Sequence, residues 1–164
     1  MRFRVGLGYD VHPFGDIGPL VLGGVHIDGT PRLDGHSDGD AIAHAVSDAV
    51  LGAAGLPDLG TLYPATDEQW RDADSLAMLG EVAARVAKDR WWVGNVDVVV
   101  AAEAPKLAPH IEQMVANVST ALTPAREPMG EQIAVSIKAK RGEGLGAIGR
   151  TEGIAVWAIV LLGR

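Results

Sequence analysis

The feature that most constrains the fold of this chain is the triplet Asp10-Val11-His12 near its start, answered by His36-Ser37-Asp38-Gly39-Asp40 and then His44. Asp10 and His12 stand two residues apart, so on an extended strand their side chains leave the same face. His44 follows Asp40 by about one helical turn, inside the apolar run from Ala41 to Ala54. If these three side chains grip one ion, a first strand and a first helix must meet at that point. One carboxylate and two imidazoles leave the fourth tetrahedral position of a zinc ion open, the catalytic arrangement and not the closed structural one. The competing reading makes Asp10 and His12 turn residues and His44 a satisfied half-buried histidine. It accounts for one Asp-x-His pair, but not for His36, Asp38, Asp40 and His44 crowded into nine residues. His26 and His110 have no such company and read as structural or surface residues.

Around that cluster the pattern alternates between two periods. Phe3 to Asp10 reads as a strand, and Leu20 to Ile27 as a hairpin about Gly23-Gly24. Asp28 to Gly35 is a loop, after which Ser37 or Asp38 is expected to cap a helix from Asp40 to Ala54, ended by Gly55-Leu56-Pro57. Asp58 to Trp70 reads as loop. Ser75 to Asp89 is an amphipathic helix with Leu76, Leu79, Val82, Ala83 and Val86 on one face. Val93 to Ala102 alternates as a strand, and Pro105-Lys106 breaks it. His110 to Leu122 returns to helical spacing, and Thr123 to Gly130 is a loop. Ile133, Val135 and Ile137 mark a half-buried strand. Arg141 to Thr151 is a glycine-rich turn region, and Ile154 to Leu162 closes as a strand. The order predicts an α+β fold, a two-layer sandwich with helices on one face of a mixed β-sheet, in a single domain over 1–164.

Composition narrows the chemistry. The chain has no cysteine among its 164 residues, which removes disulfides, thiol nucleophiles and cysteine-held metals and fits a cytoplasmic protein. Its net charge is −7 with scattered Lys and Arg, which argues against nucleic-acid binding as the main activity. No apolar stretch reaches the roughly 20 residues of a membrane helix, and Met1 to Val5 lacks the apolar core of a signal peptide.

Three further segments carry candidate chemistry, each beside a plainer reading. The small and acidic residues of Asp58-Leu59-Gly60-Thr61-Leu62-Tyr63-Pro64-Ala65-Thr66-Asp67 suit a polyol, or form a plain connection. Ala102-Glu103-Ala104-Pro105-Lys106-Leu107-Ala108 follows a strand and opens a helix, where amides and a lysine can receive a phosphate or a base edge. The alternative is an ordinary strand-to-helix turn. Lys138-Ala139-Lys140-Arg141-Gly142-Glu143-Gly144 joins three cations to a carboxylate able to ligate Mg²⁺ beside a phosphate, or is a solvated charged turn.

Taken in order, Gly-x-Asp-Val-His, Gly-His-Ser-Asp-Gly-Asp with His four residues later, Asp-Leu-Gly with Tyr-Pro-x-Thr-Asp, Ala-Pro-Lys and Gly-Arg-x-Glu-Gly resemble the 2-C-methyl-D-erythritol 2,4-cyclodiphosphate synthase family of the non-mevalonate route to isoprenoids. The likeness covers Arg4 to Leu162. It implies a phosphorus–oxygen lyase in which the 2-phosphate of 4-diphosphocytidyl-2-C-methyl-D-erythritol 2-phosphate attacks the diphosphate and releases CMP. By resemblance Asp10, His12 and His44 hold zinc, and Glu143 holds a magnesium or manganese ion on the diphosphate. His36 and Ser37 bond phosphate, with His36 stabilising charge in the transition state. Asp58, Leu59 and Gly60 bind the erythritol hydroxyls, and Tyr63, Pro64, Ala65, Thr66 and Asp67 close over the phosphates. Val11 and the segment Ala102, Glu103, Ala104, Pro105, Lys106, Leu107, Ala108 contact substrate, the latter cradling cytidine, with Lys140 and Gly142 beside them. The resemblance further implies a homotrimer with shared sites, and a central cavity where Arg150 and Glu152 meet an isoprenoid phosphate.

Two departures stand out. Arg141 occupies the place of a threonine that in the family helps stabilise the transition state, which leaves the duty of Arg141 open. Ala65 replaces an aspartate often found in the loop. Two other functions stay on the table: a zinc phosphoesterase, for which Asp58 is the only candidate base, and a non-catalytic trimer binding isoprenoid phosphates through Arg150.

Overall fold

Gly6 and Gly8 decide how the first strand meets the first helix. In the computed structural model, which describes every residue except Ile17, Pro128, Met129 and Glu131, β1 runs Phe3–Pro13 and α1 runs Ala41–Ala54. A Cβ built on Gly6 would lie 1.9 Å from the carbonyl oxygen of Ala49, and one on Gly8 would lie 1.9 Å from that of Ala45. Only glycine lets the helix backbone sit this close to the strand. Gly6, Gly8, Asp10 and His12 share one strand face, so the approach fixed by the glycines carries the last two directly to the helix. β1 extends past the expected end at Asp10 because its pairing with the last strand continues through Pro13.

The remaining elements follow in order: β2 (Leu20–Leu22), β3 (Val25–Ile27), α2 (Leu59–Leu62), α3 (Ser75–Lys88), β4 (Trp92–Ala101), α4 (Ile111–Ala121), β5 (Ala134–Lys140), α5 (Gly146–Gly149) and β6 (Gly153–Gly163). β1, β6, β4 and β5 form one sheet in that order, with β5 parallel to β4 and the other pairings antiparallel. The parallel pair needs a crossover, which the segment containing α4 supplies. β2 and β3 make the expected hairpin, with Gly23 and Gly24 at φ 54° and 68°.

α1, α3 and α4 cover one face of the sheet, as expected. Leu79, Val82, Val86, Met114, Val118 and Leu122 pack with Val96, Val98, Val100, Val156 and Val160 in one buried cluster. Truncating Leu79, which is fully buried there, to alanine costs about 2–5 kcal/mol. The opposite face is bare. Phe3, Val5, Leu7, Tyr9 and Val11 of β1 and Trp157 and Ile159 of β6 are exposed, Val5 and Leu7 by 68% and 66%. Among the described residues no helix is long and apolar enough to cross a membrane.

Several local expectations change. α1 is capped by Asp40, not by Ser37 or Asp38. The Asp40 carboxylate accepts from Ile42 N (3.0 Å) and Ala43 N (3.1 Å), and also from Gly23 N (2.9 Å) and Gly24 N (2.7 Å). It therefore ties the hairpin to the helix start. Burial pushes its pKa up, against these amide bonds. Ser37 and Asp38 turn to other partners, described below. The Asp58–Trp70 loop contains α2 and a 3₁₀ turn over Glu68–Trp70, both started by aspartate caps. The region 123–130 begins as a 3₁₀ turn over Thr123–Ala125, and its Pro128 and Met129 lie outside the described residues.

Candidate functional site

The Asp10, His12 and His44 side chains converge where β1 leaves α1. Asp10 Oδ2 lies 3.0 Å from His12 Nε2 and 3.1 Å from His44 Nδ1, and the three donor atoms stand within 4.8 Å of one another. Each imidazole has its other nitrogen engaged. His12 Nδ1 donates to the Asp34 carbonyl at 2.7 Å, which leaves Nε2 with its lone pair toward Asp10. His44 Nε2 sits 2.9 Å from Ser75 Oγ and 3.0 Å from Ser37 Oγ. Ser75 Oγ is in turn bonded to Asp38 Oδ1, and Ser75 N donates to Asp38 Oδ2 at 3.2 Å.

This is how a metal site fixes its ligands: the second nitrogen of each histidine is tied, and the first is aimed at the ion. His12 Nε2 is buried without a hydrogen-bond partner of good geometry, a lone pair placed for a cation. Burial pushes the Asp10 carboxyl up, but the adjoining His12 and His44 imidazoles outweigh it and hold the pKa at about 2. The same Asp10 contact raises His12, against burial. The donor set, one carboxylate and two imidazoles, fits zinc.

The triad opens into a cavity of 280 Å³. His36, Ser37, Leu59, Gly60, Tyr63 and Ala65 line it, all anticipated from the sequence. His36 Nε2 lies 3.2 Å from the Asp67 carbonyl. Val11 points to the opposite sheet face, as strand alternation requires. Asp58 does not line the cavity; its carboxylate caps α2 by accepting from Thr61 N at 2.8 Å. Pro64, Thr66 and Asp67 also stand outside the lining.

Sequence reasoning missed part of this wall. Asp48, Trp70 and Met78 line the cavity as well. Asp48 carried a signal, its place four residues after His44; here it accepts from Leu59 N at 2.7 Å, and burial raises its pKa. Two hydroxyls hold the second nitrogen of His44, with the Asp38 carboxylate one bond further back. Nothing local in the sequence marks Ser75 or the Asp34 carbonyl, because both arrive by tertiary packing.

The second group of expected residues forms a separate cavity of 460 Å³. Its wall is the whole run Ala102, Glu103, Ala104, Pro105, Lys106, Leu107 and Ala108, together with Ala139, Lys140 and Arg141. Arg141 Nε donates to Glu103 Oε1 at 3.1 Å, and its Nη2 reaches the same oxygen. Gly142 and Glu143 follow in an exposed turn outside both cavities, Glu143 at φ 52°. Arg150 is exposed, bonded to Glu152 at 2.6 Å, and also outside both. The register places Asp10 beside Val156, Val156 beside Val100, and Ala101 beside Lys140. The two cavities thus lie at one end of the sheet but on opposite edges, three strand spacings or roughly 14 Å apart.

Comparison with known proteins identifies the family and the fold. Residues 3–163 match the model of the YgbB family. The chain is 49% identical over 162 residues to 2-C-methyl-D-erythritol 2,4-cyclodiphosphate synthase of Bordetella avium, covering 99% of this chain and 96% of that one. It superimposes on the CDP complex of IspF from Plasmodium falciparum with a TM-score of 0.80 at 35% identity, covering 98% and 95% of the two chains. It also matches the bifunctional IspDF of Campylobacter jejuni with a TM-score of 0.85 at 40% identity; there it covers 98% of its own length but 42% of the longer chain.

Proposed function

The chain belongs to the YgbB family, and from that premise we propose that it converts 4-diphosphocytidyl-2-C-methyl-D-erythritol 2-phosphate into 2-C-methyl-D-erythritol 2,4-cyclodiphosphate and CMP. The observation that carries the reading is the Asp10–His12–His44 triad, each imidazole tied at its far nitrogen, opening into a cavity beside His36. The reaction is a phosphorus–oxygen lyase step of isoprenoid biosynthesis by the non-mevalonate route.

The nucleophile belongs to the substrate. An oxygen of the 2-phosphate bonds to the diphosphate phosphorus nearer the erythritol, the bond from that phosphorus to the CMP oxygen breaks, and CMP leaves with the electron pair. No side chain has to become a nucleophile, so the protein's task is to align two repelling anions and absorb charge. Asp10 Oδ2, His12 Nε2 and His44 Nδ1 would hold a zinc ion, which when bound polarises a phosphoryl oxygen. His36 and Ser37 donate to phosphate oxygens from the adjoining wall. Asp48, Leu59 and Gly60 face the erythritol. Ala102 to Ala108, with Lys106, Lys140 and Arg141, receive the cytidine and its phosphates. Glu143 supplies the one carboxylate that a magnesium or manganese ion on a diphosphate needs from protein.

The two cavities work together only across copies. We assign the protein a homotrimeric form in which the Asp10 edge of one copy meets the Ala102–Arg141 edge of the next. A head-to-tail contact of two opposite edges forms a ring when its rotation closes, and the bare apolar sheet face of β1 and β6 gives it a surface to bury. Arg150 and Glu152 would then face the central cavity and an isoprenoid phosphate. We place the enzyme in the cytoplasm.

Neither alternative gains support. Asp58, the one candidate base for a zinc phosphoesterase, is engaged as a helix cap away from the triad. A non-catalytic binder has no use for three ordered metal donors. Incubation with the substrate, zinc and magnesium, followed by phosphorus NMR, tests the proposal. CMP should appear in equal amount with the cyclic diphosphate. A linear phosphorylated methylerythritol would replace the synthase with the phosphoesterase.

A further inference from the structure

We infer that Glu103 is a positioning residue that holds Arg141 at the rim of the second cavity, so that the guanidinium grips the phosphates of a nucleoside diphosphate. The inference rests on the nucleotide reading of that cavity and adds to it a pair of residues that act as one. It starts from topology. β4 and β5 are parallel neighbours with Ala101 opposite Lys140, and the pairing runs one step further, through Ala102 N to Lys140 O at 2.9 Å. Residues 103 and 141 therefore leave the sheet side by side.

Their environments differ sharply. The Glu103 side chain is 14% exposed and set into the wall, whereas that of Arg141 is 67% exposed. Both contacting nitrogens of Arg141, Nε and Nη2, turn to the single oxygen Oε1. Glu103 Oε2 is buried and without a partner. The pair is thus not a closed two-by-two fork. Nη1 stays out of it, and Lys140 and Lys106 line the same cavity.

A carboxylate in an anion-binding wall lowers the local positive charge, so its presence needs a reason. Arg141 follows Lys138 and Lys140 on a strand end, and an arginine there has many rotamers to lose on meeting a ligand. Tethered by Glu103, it is ordered beforehand. Two roles for Glu103 then predict opposite signs. If it acts only through charge, Glu103→Gln strengthens nucleotide binding. If it positions Arg141, Glu103→Gln weakens it.

The experiment is calorimetric titration of the full-length protein with CDP, CMP and cytidine. The variants are Glu103→Gln, Arg141→Met, the double variant and Glu103→Asp. Glu103→Gln and Arg141→Met should each weaken CDP by about tenfold, the size of one charge-assisted contact, and weaken cytidine far less. The double variant should be no worse than Arg141→Met, and Glu103→Asp should recover part of the loss. In turnover the substrate KM should rise while the zinc content and melting temperature hold. Unchanged or tighter CDP binding by Glu103→Gln, or losses that add in the double variant, overturns the inference alone. A parent protein that does not bind CDP at all overturns the nucleotide reading and this inference with it.

Discussion

The two cavities are built on different principles. In the first, both imidazoles of the triad are backed by a further partner: His12 by the Asp34 carbonyl, His44 by Ser37 and Ser75, and Ser75 by Asp38. In the second, the wall is mostly small and apolar residues with the Glu103 carboxylate set into it, and the cations Arg141, Lys140 and Lys106 stand exposed at its rim. A group that must hold one geometry is locked by inward hydrogen bonds. A surface that must admit and release a nucleotide keeps its cations in solvent, where each interaction is weak and reversible.

That contrast sets the order of effects. His44→Ala should be the most damaging. It removes one of three ligands, and turnover should fall by about 10³-fold or more, the equivalent of several kcal/mol of lost charge stabilisation. The α1 core around it is apolar and should keep the fold, visible as an unchanged circular dichroism spectrum with zinc absent from the purified protein. Retained zinc with full activity would remove His44 from the ligand set. Next comes Ser75→Ala, which leaves all three ligands in place and takes away the hydroxyl's bonds to His44 Nε2, Ser37 Oγ and Asp38. Zinc affinity, measured by competition with a chelator, should drop by about 10- to 100-fold. A drop below threefold would mean that the hydroxyl network is packing and not ligand control, and the contrast between the cavities would blur.

Glu143→Gln probes the other edge. Glu143 stands in an exposed turn with a left-handed backbone. Its loss should raise the magnesium concentration needed for half-maximal rate by about tenfold, since one of few protein ligands to a hydrated ion is lost. Zinc content should not change. An unaltered magnesium dependence would take Glu143 out of the metal shell.

What the sequence disclosed follows the same division. Asp10, His12 and His44 were legible because each lies on an element whose period can be read: two residues on a strand, one turn on a helix. The sheet with helices on one face was legible from the order of those periods. The capping by Asp40 was not, since Ser37, Asp38 and Asp40 are all good caps and only the hairpin amides of Gly23 and Gly24 decide among them. Ser75 and Asp34 were hidden for a similar reason: they reach the site from elements distant in sequence. The two-edge separation of the cavities was hidden too, because strand order in the sheet differs from strand order in the chain. Both segments were found, but their distance needed coordinates.

The smallest expected effect lies where the first cavity meets solvent. Tyr63 lines that cavity, stacks edge-on against Trp70 at 4.8 Å, and donates its hydroxyl to Glu81 at 2.9 Å. Burial, aided by the Glu81 contact, pushes its pKa up from 10.0 to about 12. A raised value means that the folded state holds the phenolic proton more tightly than the unfolded chain. This contribution to stability is therefore complete below pH 10 and is lost as the pH climbs through about 12. Tyr63→Phe should cost only about 0.5 kcal/mol at pH 8, because the hydrogen bond is partly exposed. The gap between parent and variant in urea melts should narrow at pH 11, where the parent alone is losing its advantage. A gap that stays constant with pH would show that the Tyr63 hydroxyl is not coupled to folding, and that the cover of the first cavity is held by the Trp70 ring alone.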